Sequence, residues 1–213
     1  MFNRFANTFV KITGLIPYLL VLRTKVYYED KKVQSRKIKG PAIVICNHTA
    51  LFDFAICLFL FFGRTVRFQM AEVLFTKVPL KYFLRALGGI EVNRVSMDFG
   101  FMERSEQILH KGGCVGIFPE SRLPLPTEER PLEFKRSCAQ IALNSGVKII
   151  PVYTNGSYFK KERARVIIGK PIDPLSLVDP NLSDRENVIK VTEYLRDNTI
   201  RLGKLLDERT SNK

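Results

Sequence analysis

A chain of 213 residues that is 46% hydrophobic and 26% charged has enough apolar material for one domain with a core, which excludes disorder on a large scale. Its formal net charge of +13 and isoelectric point near 9.7 call for an anionic partner: a phosphorylated metabolite, an anionic lipid surface or a nucleic acid. With two histidines and no close pair among Cys46, Cys57, Cys114 and Cys138, a zinc site is excluded, and the cysteines read as small core residues in a reducing compartment.

Residues 2–22 carry a run of phenylalanine, leucine, isoleucine and valine, interrupted by Gly14 and Pro17 and marked by Arg4 and Lys11. The run falls short of the roughly 20 apolar residues that a span needs, and Pro17 is expected to break a straight helix. Three readings stay open: a helix lying in a membrane interface, an amphipathic helix packed on the domain, and a signal peptide. Against the last stands the lack of a small-residue cleavage pattern before Arg23 and Lys25. From 23 to 39 the basic residues Arg23, Lys25, Lys31, Lys32, Arg36, Lys37 and Lys39 face only Glu29 and Asp30. Beside an apolar segment this reads as attraction to anionic headgroups, about 1 kcal/mol per charge near the surface. A solvated hairpin edge, its lysines discouraging strand pairing, is the alternative. The expected division is a membrane-facing segment at 1–22 and one domain at 23–213.

The rest of the chain is organised around Ala42-Ile43-Val44-Ile45-Cys46-Asn47-His48-Thr49-Ala50-Leu51-Phe52-Asp53. The apolar run predicts a buried strand, the residues from Phe54 onward predict a buried helix, and His48 and Asp53 fall in the turn between them. On one continuous helix a five-residue step rotates by roughly 140° and would point the two apart, whereas a turn can bring them together. An aspartate that accepts one imidazole proton fixes the tautomer and leaves the other nitrogen free to take a proton from a hydroxyl. No serine lies in a Gly-x-Ser-x-Gly elbow, so that hydroxyl is expected to belong to the substrate. The alternative is that His48 ends a strand and Asp53 is a first-turn helix charge favoured by the dipole.

Further strands are predicted at 64–71, 90–94, 114–118 and 148–153, one more strand with its turn over 165–172, and helices leading to Leu87-Gly88-Gly89, from 96 to 110, from 134 to 145, and after the capping box Ser183-Asp184-Arg185-Glu186. His110 falls in a last helical turn, where a cation suits the dipole, and is given no catalytic role. The alternation predicts α/β architecture: a single mixed, mostly parallel sheet flanked by helices, with ligands at strand ends. Residues 123–131 form a proline-marked loop beside the expected site.

Four segments together resemble the glycerolipid acyltransferase family, which includes lysophosphatidate (1-acylglycerol-3-phosphate) and glycerol-3-phosphate acyltransferases. Its first motif, Asn-His with an aspartate five residues after the histidine, is Asn47-His48 with Asp53 here. Its second, a glycine followed six residues later by arginine, is Gly88-Gly89-Ile90-Glu91-Val92-Asn93-Arg94. The third, usually Phe-Pro-Glu-Gly-Thr-Arg, is Phe118-Pro119-Glu120-Ser121-Arg122, shortened by one residue. The fourth, an apolar strand ending in proline, is Val147-Lys148-Ile149-Ile150-Pro151-Val152. Order and spacing match over 43–152. Where relatives often carry a lysine after the second strand, this chain has Ala71-Glu72.

The resemblance implies direct acyl transfer from acyl-CoA or acyl carrier protein to a lysophosphatidate-like acceptor, without a cofactor or metal, on the cytoplasmic face of a membrane. It implies His48 as general base and Asp53 as its orienter. Arg94 and Arg122 are assigned to the acceptor's phosphate, because a guanidinium fork suits phosphate oxygens. Glu120 is expected to position one of those arginines or hold a glycerol hydroxyl, and Gly89 and Pro151 are counted with the substrate-binding motifs. The acceptor could equally be glycerol 3-phosphate or another lysolipid. A non-catalytic lipid-surface binder is the competing class. Nucleic-acid binding ranks last, because the basic residues form no recognised reader motif and there is no tryptophan.

Overall fold

A computed structural model of the chain describes residues 2–22, 24–93, 99–159 and 163–211. Seven strands, β1 (Lys25–Tyr28), β2 (Ala42–Cys46), β3 (Val66–Ala71), β4 (Ile90–Val92), β5 (Cys114–Ile117), β6 (Ile149–Thr154) and β7 (Arg165–Ile168), form one sheet in the order β1-β7-β6-β2-β5-β3-β4. Strands β2 to β6 run one way, and β7 with its parallel partner β1 runs the other. The sheet is therefore mixed and mostly parallel, flanked by helices as the alternation predicts.

β2 lies at the centre between β6 and β5 and is buried on both faces, which is why it reads as a continuous apolar run. Its Ala42, Val44 and Cys46 pack with α1 (Phe2–Val21) and α2 (Asp53–Leu60). Ile43 and Ile45 pack on the other face with α4 (Gly100–His110), α5 (Arg136–Ser145) and the long α6 (Asp184–Ser211). α3 (Val78–Leu87) packs against α1. At the start of α6 the expected capping box forms: Glu186 accepts from the Ser183 amide at 2.8 Å and its own amide donates to Ser183 Oγ at 3.4 Å.

Two sequence expectations are corrected. Residues 25–28 were expected at most as a hairpin edge, yet Lys25-Val26-Tyr27-Tyr28 pairs in parallel with β7. Strand-forming Val26, Tyr27 and Tyr28 are masked in the sequence by basic neighbours, and the Lys25 ammonium lies 5.4 Å over the Tyr27 ring. Pro17 does not break α1, which is 20 residues long. Its C-terminal half is held from outside: the Tyr18 ring stacks on Phe59 at 4.4 Å, and Gly14 lets the helix close on the same ring, since a Cβ there would lie 2.9 Å from Phe59 Cζ. The beginning of the helix expected from 96 lies outside the described residues.

α1 is docked by its polar residues. Buried Asn7 donates to the Leu87 carbonyl at 2.7 Å. Buried Lys11 donates to the carbonyls of Phe61, Phe62 and Arg64 at 2.6–3.1 Å, where α2 ends. Phe5, Phe9, Ile12, Ile16, Leu19 and Leu20 face outward, with Phe5 71% and Leu20 70% exposed. Among the described residues no helix is long and apolar enough to cross a membrane.

Candidate active site

The carboxyl ends of the three central strands meet at one edge of the sheet. β2 delivers Asn47 and His48, β5 delivers Phe118 and Glu120, and β6 delivers Thr154 and the loop with Tyr158. Asn47 locks two of these ends together: its side-chain amide donates to the Thr154 carbonyl at 2.9 Å and accepts from the Thr154 amide at 2.8 Å. It extends the parallel ladder by one rung beyond Cys46, so the chain leaves β2 in a fixed direction.

That exit places His48 Nδ1 2.9 Å from Asp53 Oδ2. Asp53 is the first residue of α2 and fully buried, at 0% exposure. Five donors surround its carboxylate: His48 Nδ1, the amides of Thr49 and Ala50 at 2.5 and 2.8 Å, Thr49 Oγ1 at 2.9 Å, and the Tyr158 hydroxyl at 2.5 Å. A carboxylate is acceptor-only, so Nδ1 carries the proton and Nε2 is left with its lone pair. The imidazole is 17% exposed. It stacks on Phe118 at 4.4 Å and 17°, and Phe118 stacks on Phe68 at 5.3 Å. Gly116 makes room for that stack, because a Cβ there would lie 2.3 Å from the Phe68 ring.

Glu120 is also buried, and among the described residues it is not bonded to an arginine. One oxygen accepts from the His48 amide at 2.7 Å and the other from the Leu132 amide at 2.8 Å. Only a carboxylate offers acceptors on both sides, and a glutamine would turn its NH₂ toward one of the amides. Burial raises the Glu120 carboxyl above the usual range, opposed by those two hydrogen bonds and by the nearby His48. Among the described residues Glu120 therefore acts as a clamp on the backbone of His48, a contact the sequence reading did not include.

The other expected residues are dispersed. Ser121 turns the chain with φ 58°, its amide bonded to the Phe118 carbonyl, and Arg122 then points to Glu128, making bonds of 2.6 and 2.7 Å at the surface. That pair raises the Arg122 guanidinium above its ordinary range and holds the Glu128 carboxyl down at about 2. In this arrangement Arg122 is engaged by Glu128, just beyond the turn that left-handed Ser121 makes. Gly89 packs against the Leu84 carbonyl, Met70 and Phe75 at the start of β4, the far edge of the sheet from His48. Pro151 is buried in β6 beside Ile45, where its carbonyl accepts from Gly169. Arg94 lies outside the described residues.

The amides of His48, Thr49 and Ala50 are consumed by Glu120 and Asp53, so these nearest donors at the helix start are not available to an oxyanion. Tyr158, Thr154 and Thr49 were not legible as site residues. Tyr158 lies 105 positions from Asp53, with no spacing signal linking them. Among the described residues no group of three side chains could hold a metal ion.

In comparison with known proteins, the acyltransferase family model matches residues 24–155. No curated protein matches the chain. Among solved structures it is similar to the 1-acyl-sn-glycerophosphate (LPA) acyltransferase PlsC from Thermotoga maritima, with a TM-score of 0.65 and 23% identity over 94% of this chain and 81% of that one. The likeness is one of fold.

Proposed function

The chain belongs to the acyltransferase family, and on that premise we propose that it moves a fatty acyl group from acyl-CoA or acyl carrier protein to the free hydroxyl of a lysophosphatidate-like acceptor, in phospholipid synthesis. The observation that carries the reading is the His48–Asp53 pair, with Nδ1 engaged at 2.9 Å and the ring reaching solvent. The acceptor named for the similar structure, 1-acyl-sn-glycerophosphate, is the source of the finer assignment.

In this reading His48 Nε2 takes the proton of the acceptor hydroxyl as its oxygen bonds to the thioester carbonyl carbon. The tetrahedral intermediate collapses, the carbon–sulfur bond breaks, and the departing thiolate takes the proton back from the imidazolium. The products are an ester and a free thiol, without an acyl-enzyme. Asp53 holds the tautomer and stabilises the imidazolium. Glu120, through the His48 amide, sets where the ring stands, and Phe118 sets its plane. Arg94 is assigned to the acceptor's phosphate, and Arg122 joins it only by leaving Glu128.

The enzyme meets its lipid as a peripheral protein on the cytoplasmic face, with the outward apolar residues of α1 entering the interface. Exposed Val78 and Tyr82 of α3, which packs beside α1, extend the same apolar surface. Purified protein on vesicles, given a mixture of acyl-CoA and acyl carrier protein donors with lysophosphatidate, glycerol 3-phosphate and other lysolipids, should yield phosphatidate by mass spectrometry. Vesicle binding with no acylated product from any pair would refute the enzymatic reading and favour a lipid-surface binder.

A further inference from the structure

Toward the amino ends of β3 and β4, beside the ends of α3 and α4, lies a cavity of about 290 Å³. Through β5, Arg67 of β3 is level with Ile43 of the central strand, five residues and roughly 17 Å short of His48, so the cavity and the dyad are separate places. Arg67, Arg85, Arg104 and Lys111 line the cavity, together with Asn3 of α1. The stem of Arg67 lies along the end of α3, where Gly88 leaves space for it: a Cβ there would come within 3.0 Å of Arg67 Cγ.

Helix ends supply part of the explanation for these cations. Each carboxyl end carries about half a negative charge, and α3 and α4 both finish here. Glu91 supplies one more, 3.6 Å from Arg85. Among the described residues, four lining cations against one carboxylate and two helix ends leave about two positive charges uncompensated. Arg104 Nε donates to the Gly100 carbonyl, whereas among the described residues no oxygen partners the Arg67 guanidinium. Burial lowers Arg67 below the ordinary arginine range, opposed by the nearby Cys114 thiol, and Arg4 and Arg64 add like-charge repulsion. A half-buried, unpaired guanidinium among like charges is an arrangement that an anion relieves.

We propose that this cavity is a second, non-catalytic anion site that binds a phosphate group, carried by an anionic lipid headgroup or free in solution. Asn3 belongs to the helix whose neighbouring Phe5 and Phe9 face outward, so a headgroup here would have apolar surface beside it for its chains. The inference does not depend on acyl transfer, and its test involves no turnover.

Binding of the full chain to phosphatidylcholine vesicles with and without phosphatidate, and to inorganic phosphate by calorimetry, is compared for wild type, Arg67→Gln, Arg104→Gln and Lys111→Gln. The last two sit at exposed positions and keep the test valid if Arg67→Gln does not fold. A preference for phosphatidate vesicles that falls at least ten-fold in the variants establishes the lipid headgroup as ligand. Binding of inorganic phosphate that falls likewise, without a vesicle preference, establishes the free anion. Unchanged binding in the variants, or an equal fall in a charge-matched Lys204→Gln protein altered at an exposed position of α6, overturns the site in favour of general surface electrostatics.

Discussion

Tyr158 closes the hydrogen-bond shell of the dyad from a distant part of the chain. It is buried, its hydroxyl sits 2.5 Å from Asp53 Oδ1 and 2.8 Å from Thr154 Oγ1, and burial beside that carboxylate raises it far above the ordinary phenol range. It therefore stays a neutral donor and withdraws charge from Asp53. Tyr158→Phe removes one of five donors, costs about 1 kcal/mol of stability, and leaves the carboxylate a stronger partner for an imidazolium. Chemical denaturation of the variant should show that loss, and an unchanged midpoint would mean that the hydroxyl does not support the dyad. At this scale the sequence showed His48 and Asp53, because their separation is short and a turn between apolar runs is easily read. Tyr158 and the Glu120 clamp depend on contacts across 105 and 72 positions, for which one sequence holds no signal.

Elements were legible wherever period and punctuation agreed, as for β2, α2 and the capped α6. They were not legible where tertiary contact overrode local preference. α1 runs through Pro17 because the rest of the helix is anchored elsewhere, and its anchors are polar, so its outward face is apolar. β1 is masked by charge. α6 reaches the site indirectly: Arg196 donates to the Leu132 and Pro131 carbonyls at 3.2 and 3.1 Å, and the Leu132 amide caps Glu120. The anchor of α1 has a pH signature. Burial lowers Lys11 from 10.5 to about 8, so between those values the unfolded chain binds more protons than the folded one. The stability contributed by Lys11 therefore rises with pH from about 8 to 10.5 and falls as pH drops through about 8. In thermal melts, the advantage of wild type over Lys11→Met should grow across that window. A difference that stays flat would mean the ammonium is not desolvated where α1 meets α2.

Over the whole molecule, the proposed catalytic and membrane-attachment regions are separate: the carboxyl edge of the sheet holds the dyad, and α1 carries the outward apolar face of a strongly basic protein. Because Ile12 and Ile16 are 63% and 68% exposed, Ile12→Asp with Ile16→Asp should change stability by no more than about 1 kcal/mol while releasing the protein from vesicles in flotation. Retained flotation would assign the membrane contact to another surface. Charge was legible from composition, but the cluster around Arg67 was not, because it assembles from three elements and one turn of α1.

The central claim is that the His48 imidazole removes the acceptor proton. His48→Ala should keep the wild-type melting transition and circular dichroism while transfer from acyl thioester to lysophosphatidate falls by about 10²–10⁴ or more. A folded His48→Ala protein that transfers acyl groups at the wild-type rate would contradict it.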